Sequence, residues 1–154
     1  MGNDTNRFRM TKLRRTANAV IGGLTKYGIG PSKTRLLTTR GRKSGFLRTI
    51  PVNLVENEQG RFLVSPYGEV GWVRNIREDG FATLRRGGWI ELISVVEVTA
   101  ERAAPVLKAY LDAPHAVIVG SSFAAKPDSP IEAFIDEAAA HPVFEIVRSA
   151  TIRL

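Results

Sequence analysis

Three short runs rich in threonine, leucine and β-branched residues, Thr34 to Thr39, Phe46 to Val55 and Arg61 to Ser65, are separated only by the Gly41–Gly45 turn and by Asn57 to Gly60. Connections this short join antiparallel neighbours, because a parallel pair needs a crossover of about a dozen residues or more. The runs therefore read as a three-stranded meander. Pro66 and Gly68 break it, and Gly71 to Asp79 follows as a short helix with Trp72 and Ile76 one turn apart, ended by Gly80. A second hairpin comprises Phe81 to Arg86, the Gly87-Gly88 turn and Trp89 to Thr99. Thr99 then caps a helix from Ala100 to about Leu111, where Pro105 is expected to be tolerated only near the first turn. Ile131 to Ala140 has a helical pattern, and Val143 to Leu154 closes the chain as a strand. Between them, residues 113–130 alternate small apolar patches with Gly, Ser and Pro and read as a mobile lid. Hairpin-linked strands must remove or cover their edges, so the expected class is mostly β (α+β): a small, partly open antiparallel barrel with peripheral helices.

At 154 residues one core is expected. Cysteine is absent, which excludes disulfides, thiolate metal sites and cysteine nucleophiles and fits a reducing, cytoplasmic location. The net charge of +7 is unevenly spread: residues 1–48 hold twelve Lys and Arg against Asp4 alone, whereas the remainder is net acidic. An anionic partner is therefore expected for the first third. Residues 1–9 read as a polar tail. From Met10, the apolar Leu13, Ala17, Val20, Ile21 and Leu24 recur at helical spacing with Lys12, Arg14 and Arg15 beside them. Residues 1–30 are thus expected as tail plus amphipathic helix, and 31–154 as one barrel domain. That helix reads first as a cover for the barrel, and alternatively as a peripheral contact with anionic lipid on the inner face of the plasma membrane. No apolar run is long enough to span a bilayer, and no signal-peptide pattern opens the chain.

The Gly41–Gly45 turn gathers Arg40, Arg42, Lys43 and Arg48 with Ser44 between the first two strands. Exposed backbone N–H groups, a hydroxyl and forked guanidinium donors suit phosphate or carboxylate. The turn is no P-loop, since it lacks that spacing and joins two strands. Tyr67, between a proline and a glycine, is a candidate to polarise a carbonyl. His115 and His141 have no metal-ligand spacing, and no nucleophile grouping or paired-carboxylate motif is present. Nucleic acid is not expected as a partner, because Phe8, Tyr27 and Phe46 are not interleaved with the cations as stacking readers would be.

The pattern Leu37-Thr38-Thr39-x-Gly41-Arg42-Lys43-Ser44-Gly45-x-x-Arg48-x-x-Pro51, with Val64-Ser65, a glycine, Trp72 and Asn75-Ile76 after it, resembles the deazaflavin-dependent nitroreductase family. These are split-β-barrel oxidoreductases that use reduced coenzyme F-420. The resemblance implies a flavin-binding-like split barrel and hydride transfer to a small electron-poor acceptor, such as a quinone, an activated alkene or a nitro compound. It implies that Arg42, Lys43, Ser44 and Arg48 hold the coenzyme's phosphate and oligoglutamyl tail, with Thr38 and Thr39 lining the approach. Pro51, Val52 and Asn53 would lie against the ring, and Ser65, Pro66, Tyr67 and Gly68 along its edge. Trp72 would wall the pocket, and Asn75 would fix the loop beneath it. No catalytic side chain is implied, because the coenzyme carries the chemistry. The sequence departs from many relatives at Tyr67-Gly68-Glu69-Val70-Gly71-Trp72, and only Tyr110 comes after residue 100 where the nitroreductase branch has several tyrosines. Flavin mononucleotide on the same barrel is the rival cofactor. A non-catalytic cofactor carrier and a basic nucleic-acid-binding module are the rival functions. The expected partner is a small-molecule substrate, and the chain is expected as a monomer or homodimer.

Overall fold

A computed structural model of the protein describes residues 33–113 and 116–154. The helix expected from Met10 to Leu24, with its lipid contact, and His115 lie outside the described residues. The element order is β1 (Thr34–Arg40), β2 (Leu47–Asn57), β3 (Gly60–Val64), α1 (Gly71–Asp79), β4 (Phe81–Arg86), β5 (Trp89–Glu97), α2 (Ala100–Asp112), α3 (Ala116–Val119), α4 (Ile131–Glu137) and β6 (Val143–Arg153), with a 3-10 turn at Gly120–Ser122. The strands close into an antiparallel barrel in the order β1-β2-β3-β6-β5-β4.

Closure, where a partly open barrel was expected, comes from β6. Its first residues pair with β3 (Val64 opposite Val143) and its whole length runs along β5, with a register shift at Ser94/Val95 that re-aims the strand. Alternation then sorts the side chains into two cores. The inner one comprises Leu37, Val52, Leu54, Leu63, Leu84, Ile93 and Phe144, and α1 plugs one end of it with Trp72, Val73 and Ile76. The outer one lies between Val55, Phe62, Val64 and Val143 on the sheet and α2, α3 and α4. Gly80, at φ 73°, ends α1, and its N–H donates to the carbonyl of Ile76.

Thr99 caps α2 as expected, accepting from the Arg102 N–H at 3.4 Å. Pro105 sits deeper than expected, inside the second turn, and the helix passes through it. Its ring lies at a position that costs one hydrogen bond, which the burial of Ala103, Ala104, Val106 and Leu107 offsets. The expected lid is instead packed into the outer core: Val119, Phe123 and Ala125 are buried there. Apolar side chains spaced between small residues gave no period to reveal it.

Candidate functional site

Gly41 donates to the Phe46 carbonyl at 2.8 Å and Gly45 to the Gly41 carbonyl at 2.8 Å, so the turn between β1 and β2 is closed on itself. A Cβ on Gly41 would meet Ser44 Oγ at 2.7 Å, and Gly45 holds φ 74°, which explains both glycines. The Phe46 N–H donates to Ser44 Oγ at 3.2 Å. Much of the backbone expected to meet an anion is therefore spent within the turn. The Ser44 hydroxyl keeps its own proton to donate, and the other donors the turn still offers are its cationic side chains.

Asn75, on the inward face of α1 and 4% exposed, holds this turn in place. Its Oδ1 accepts from the Arg42 N–H and from Arg42 Nη1, both at 3.2 Å, and its Nδ2 donates to Thr39 Oγ1 at 3.1 Å. Arg40 is paired with Asp79 at the far end of the same helix, at 3.0 Å. Lys43 and Arg48 are exposed and have no ion-pair partner among the described residues. One cation of the turn is neutralised, one is oriented and two are open. Such a donor set fits a phosphate joined to a chain of carboxylates.

The β1–β2 register divides the residues expected to share the ligand. Thr39 faces Arg48 and Arg35 faces Val52 toward the barrel's inside, whereas Thr38 faces Thr49, Leu36 faces Pro51 and Thr34 faces Asn53 on the outside. Val52 is buried in the inner core. Trp72 is buried there too, its ring centroid 5.9 Å from that of Phe144. On the outer face Thr38 and Thr49 share a hydroxyl–hydroxyl hydrogen bond at 2.7 Å, and Thr34 Oγ1 donates to Asn53 Oδ1 at 2.7 Å.

Ser65, buried, donates through Oγ to the Gly68 carbonyl at 2.5 Å, and its N–H donates to the Pro142 carbonyl at 3.0 Å. Gly68 takes φ 84°, and a Cβ there would lie 3.3 Å from the Ala140 carbonyl oxygen. The segment Ser65 to Gly68 is thus a fixed loop. Arg77 ties the adjoining Glu69 to β5, bonding Glu97 through Nε and Nη2 at 2.8 and 2.7 Å and Glu69 through Nη1 at 2.7 Å. Hydrogen bonds to Glu97 and Glu69 push the Arg77 pKa up, so its charge is permanent.

Tyr110 was missed as a site residue because its place on an amphipathic helix reads as core. It hydrogen-bonds with Asn53 and interacts with Tyr67, which brings two expected site residues together around a third. Burial, and then Tyr67, push its pKa well up, so the phenol stays protonated. The signal for it was the lone tyrosine in a helix whose other inward residues are aliphatic or alanine.

The F420H(2)-dependent quinone reductase family matches residues 7–138. The chain belongs to that family. It is an oxidoreductase, a deazaflavin-dependent reductase whose cofactor is coenzyme F-420, and this agrees with the resemblance read from the Leu37 to Pro51 motif. No curated protein matches the chain. Among solved structures, similar ones include a NimC/NimA family protein from Clostridium acetobutylicum (11% identity, 90% of this chain and 88% of that one, TM-score 0.51). Another is HutZ, the heme storage protein of Vibrio cholerae (12% identity, 88% and 92% covered, TM-score 0.52). A third is the F420-H2 dependent reductase FDR-A (19% identity, 74% and 93% covered, TM-score 0.48). The first two likenesses establish the barrel fold alone.

Proposed function

We propose that this reductase passes a hydride from reduced coenzyme F-420 to a quinone, with the coenzyme lying along the outer face of β1 and β2. The observation that carries this is the clamp of Asn75 on Arg42, which presents a cationic tip at one end of that face. Arg42, Lys43, Ser44 and Arg48 hold the phosphate and acidic tail. Thr38, Pro51 and Asn53 flank the ring, and the rigid Ser65 to Gly68 loop borders it. When bound, the coenzyme supplies the hydride.

The chain's own part is to bind, orient and polarise. Tyr110 fixes Asn53, and Tyr67, half-buried beside it, presents a phenol able to donate to the acceptor's carbonyl oxygen. A quinone is preferred among acceptors because its two carbonyls can use such a donor, and the family's own description points the same way. Residues 31–154 act as one unit in this reading. The preceding basic segment, with Lys12, Arg14 and Arg15 beside Leu13, Val20 and Leu24, seats the enzyme on anionic lipid where such acceptors dissolve. No described helix is long and apolar enough to cross a membrane.

The test is oxidation of reduced coenzyme F-420 by the purified protein with menadione, an activated enone and a nitroimidazole in parallel. Fastest turnover with menadione, cut at least tenfold by Tyr67→Phe, supports the reading. Turnover confined to the enone or the nitro compound overturns the choice of acceptor.

A further inference from the structure

Phe46 and Leu47 stand where the β1–β2 turn runs into β2, and at 72% and 73% they are the most exposed large apolar side chains among the described residues. Neither belongs to the inner or the outer core. Leu47 lies opposite Arg40 in the last pair of the β1–β2 ladder, and the Phe46 carbonyl accepts the Gly41 N–H at 2.8 Å. The hairpin thus keeps its shape to the end, and every residue from Arg42 to Thr49 is exposed, so the tip stands clear of the barrel. Single apolar residues on a surface are ordinary, whereas two neighbours this exposed on a projecting tip form a patch.

The charge around the patch has one sign. Arg42, Lys43 and Arg48 flank it, no Asp or Glu occurs between Thr34 and Val55, and the nearby carboxylate of Asp79 is taken by Arg40 at 3.0 Å. The coenzyme reading accounts for these cations but not for the patch, because phosphate and carboxylates give an aromatic ring and an isobutyl group nothing to bury against. A surface with anionic groups outside and hydrocarbon beneath satisfies both. A folded partner protein would cover one side of so narrow a tip, whereas a lipid interface surrounds it.

We propose that the β1–β2 tip is a docking element for an anionic bilayer, inserted end-on, with Phe46 and Leu47 at the boundary of the hydrocarbon and Lys43 and Arg48 on headgroup phosphates. Long cationic side chains beside apolar ones suit that depth, with their stems in the apolar layer and their charges at the phosphates. Each cation near the surface adds attraction that salt screens. The proposal does not rest on the coenzyme reading, in which Phe46 and Leu47 take no part. The bilayer meets the tip from its end, and the coenzyme of that reading lies along the outer face of β1 and β2. The tip is also separate from any contact made by the basic segment before Lys33, and two weak anchors hold a protein on a bilayer where one gives only reversible contact.

The test uses the full chain with vesicles of phosphatidylglycerol and phosphatidylcholine, and of phosphatidylcholine alone, read by sedimentation and by tryptophan fluorescence. In Phe46→Trp the added indole should shift to the blue and be quenched by brominated phosphatidylcholine in the anionic vesicles only. The background is the wild type, whose Trp72 is buried and whose Trp89 lies beside Arg86 toward the opposite end of the barrel. Phe46→Ser/Leu47→Ser should weaken binding to the anionic vesicles about tenfold, while melting temperature and coenzyme F-420 affinity stay at the wild-type values. Four results each overturn the proposal: no wild-type binding to the anionic vesicles, binding without quenching in Phe46→Trp, equal binding by the double Ser variant, or a dimer in solution, by light scattering, that the double variant loses.

Discussion

Asn75 Oδ1 accepts two hydrogen bonds from Arg42, one from its backbone N–H and one from its guanidinium, so a single buried amide sets both the path of the β1–β2 turn and the direction of its first cation. Asn75→Asp keeps the acceptor oxygen but places a carboxylate against Arg42. The fold should survive with its melting temperature little changed, while affinity for coenzyme F-420 falls about tenfold, as a charge-assisted contact worth about 1.5–3 kcal/mol is lost. Asn75→Ala should lose both affinity and stability. Equal coenzyme binding by wild type and the Asp variant would separate the clamp from the site.

Gly68 should resist substitution. At φ 84°, with the Ala140 carbonyl 3.3 Å from the position of a Cβ, Gly68→Ala must strain or displace the Ser65 to Gly68 loop. The expected cost is about 1–3 kcal/mol. Chemical denaturation checks it, and coenzyme titration of the same variant reports whether the loop borders the ring.

His141 and Glu137 form a buried pair, Nε2 to Oε2 at 3.1 Å, stacked against Phe123 with ring centroids 3.8 Å apart. Glu137 Oε1 also accepts from the Ala125 N–H at 2.6 Å, so the pair ties the α3–α4 segment to the outer core. Burial lowers the His141 pKa, and Glu137 opposes that shift only in part. The unfolded chain therefore binds a proton more readily than the folded one as pH drops below the ordinary histidine range. Stability is complete above about pH 6.5 and declines as pH falls toward the lowered folded value. Urea denaturation at stepped pH should show that decline, and His141→Gln should remove this component. Constant stability from neutral to mildly acidic pH in the wild type would contradict the assignment.

Phe134, fully buried between α4 and α2, anchors the outer layer. Phe134→Ala should cost about 3–5 kcal/mol in denaturant melts. A cost below about 1 kcal/mol would mean that the layer contributes little to the fold.

The strands, the hairpin turns and α1 were legible because each has a short-range cause: alternation in Thr34 to Thr39, glycines at Gly41 and Gly45, a helical pair at Trp72 and Ile76 ended by Gly80. The crowding of cations at the turn was legible for the same reason, since they are neighbours in sequence. The features that were not legible depend on contacts far apart in the chain. Barrel closure needed Val64 to meet Val143. The burial of Phe123 needed α2 and His141, and the role of Tyr110 needed Asn53 from another element. The division of Thr38 from Thr39, and of Val52 from Pro51 and Asn53, comes from strand alternation, but which face is outward depended on where α1 and α2 pack.

The cationic tip as the grip on the coenzyme is the claim on which the functional reading turns. The most direct measurement is the dissociation constant of coenzyme F-420, by fluorescence quenching, for wild type and for Arg42→Gln/Lys43→Gln, with flavin mononucleotide titrated alongside. The account predicts at least a tenfold loss of F-420 affinity in the double variant, with an unchanged melting temperature and only weak flavin mononucleotide binding in either protein. An unaltered F-420 dissociation constant would contradict it.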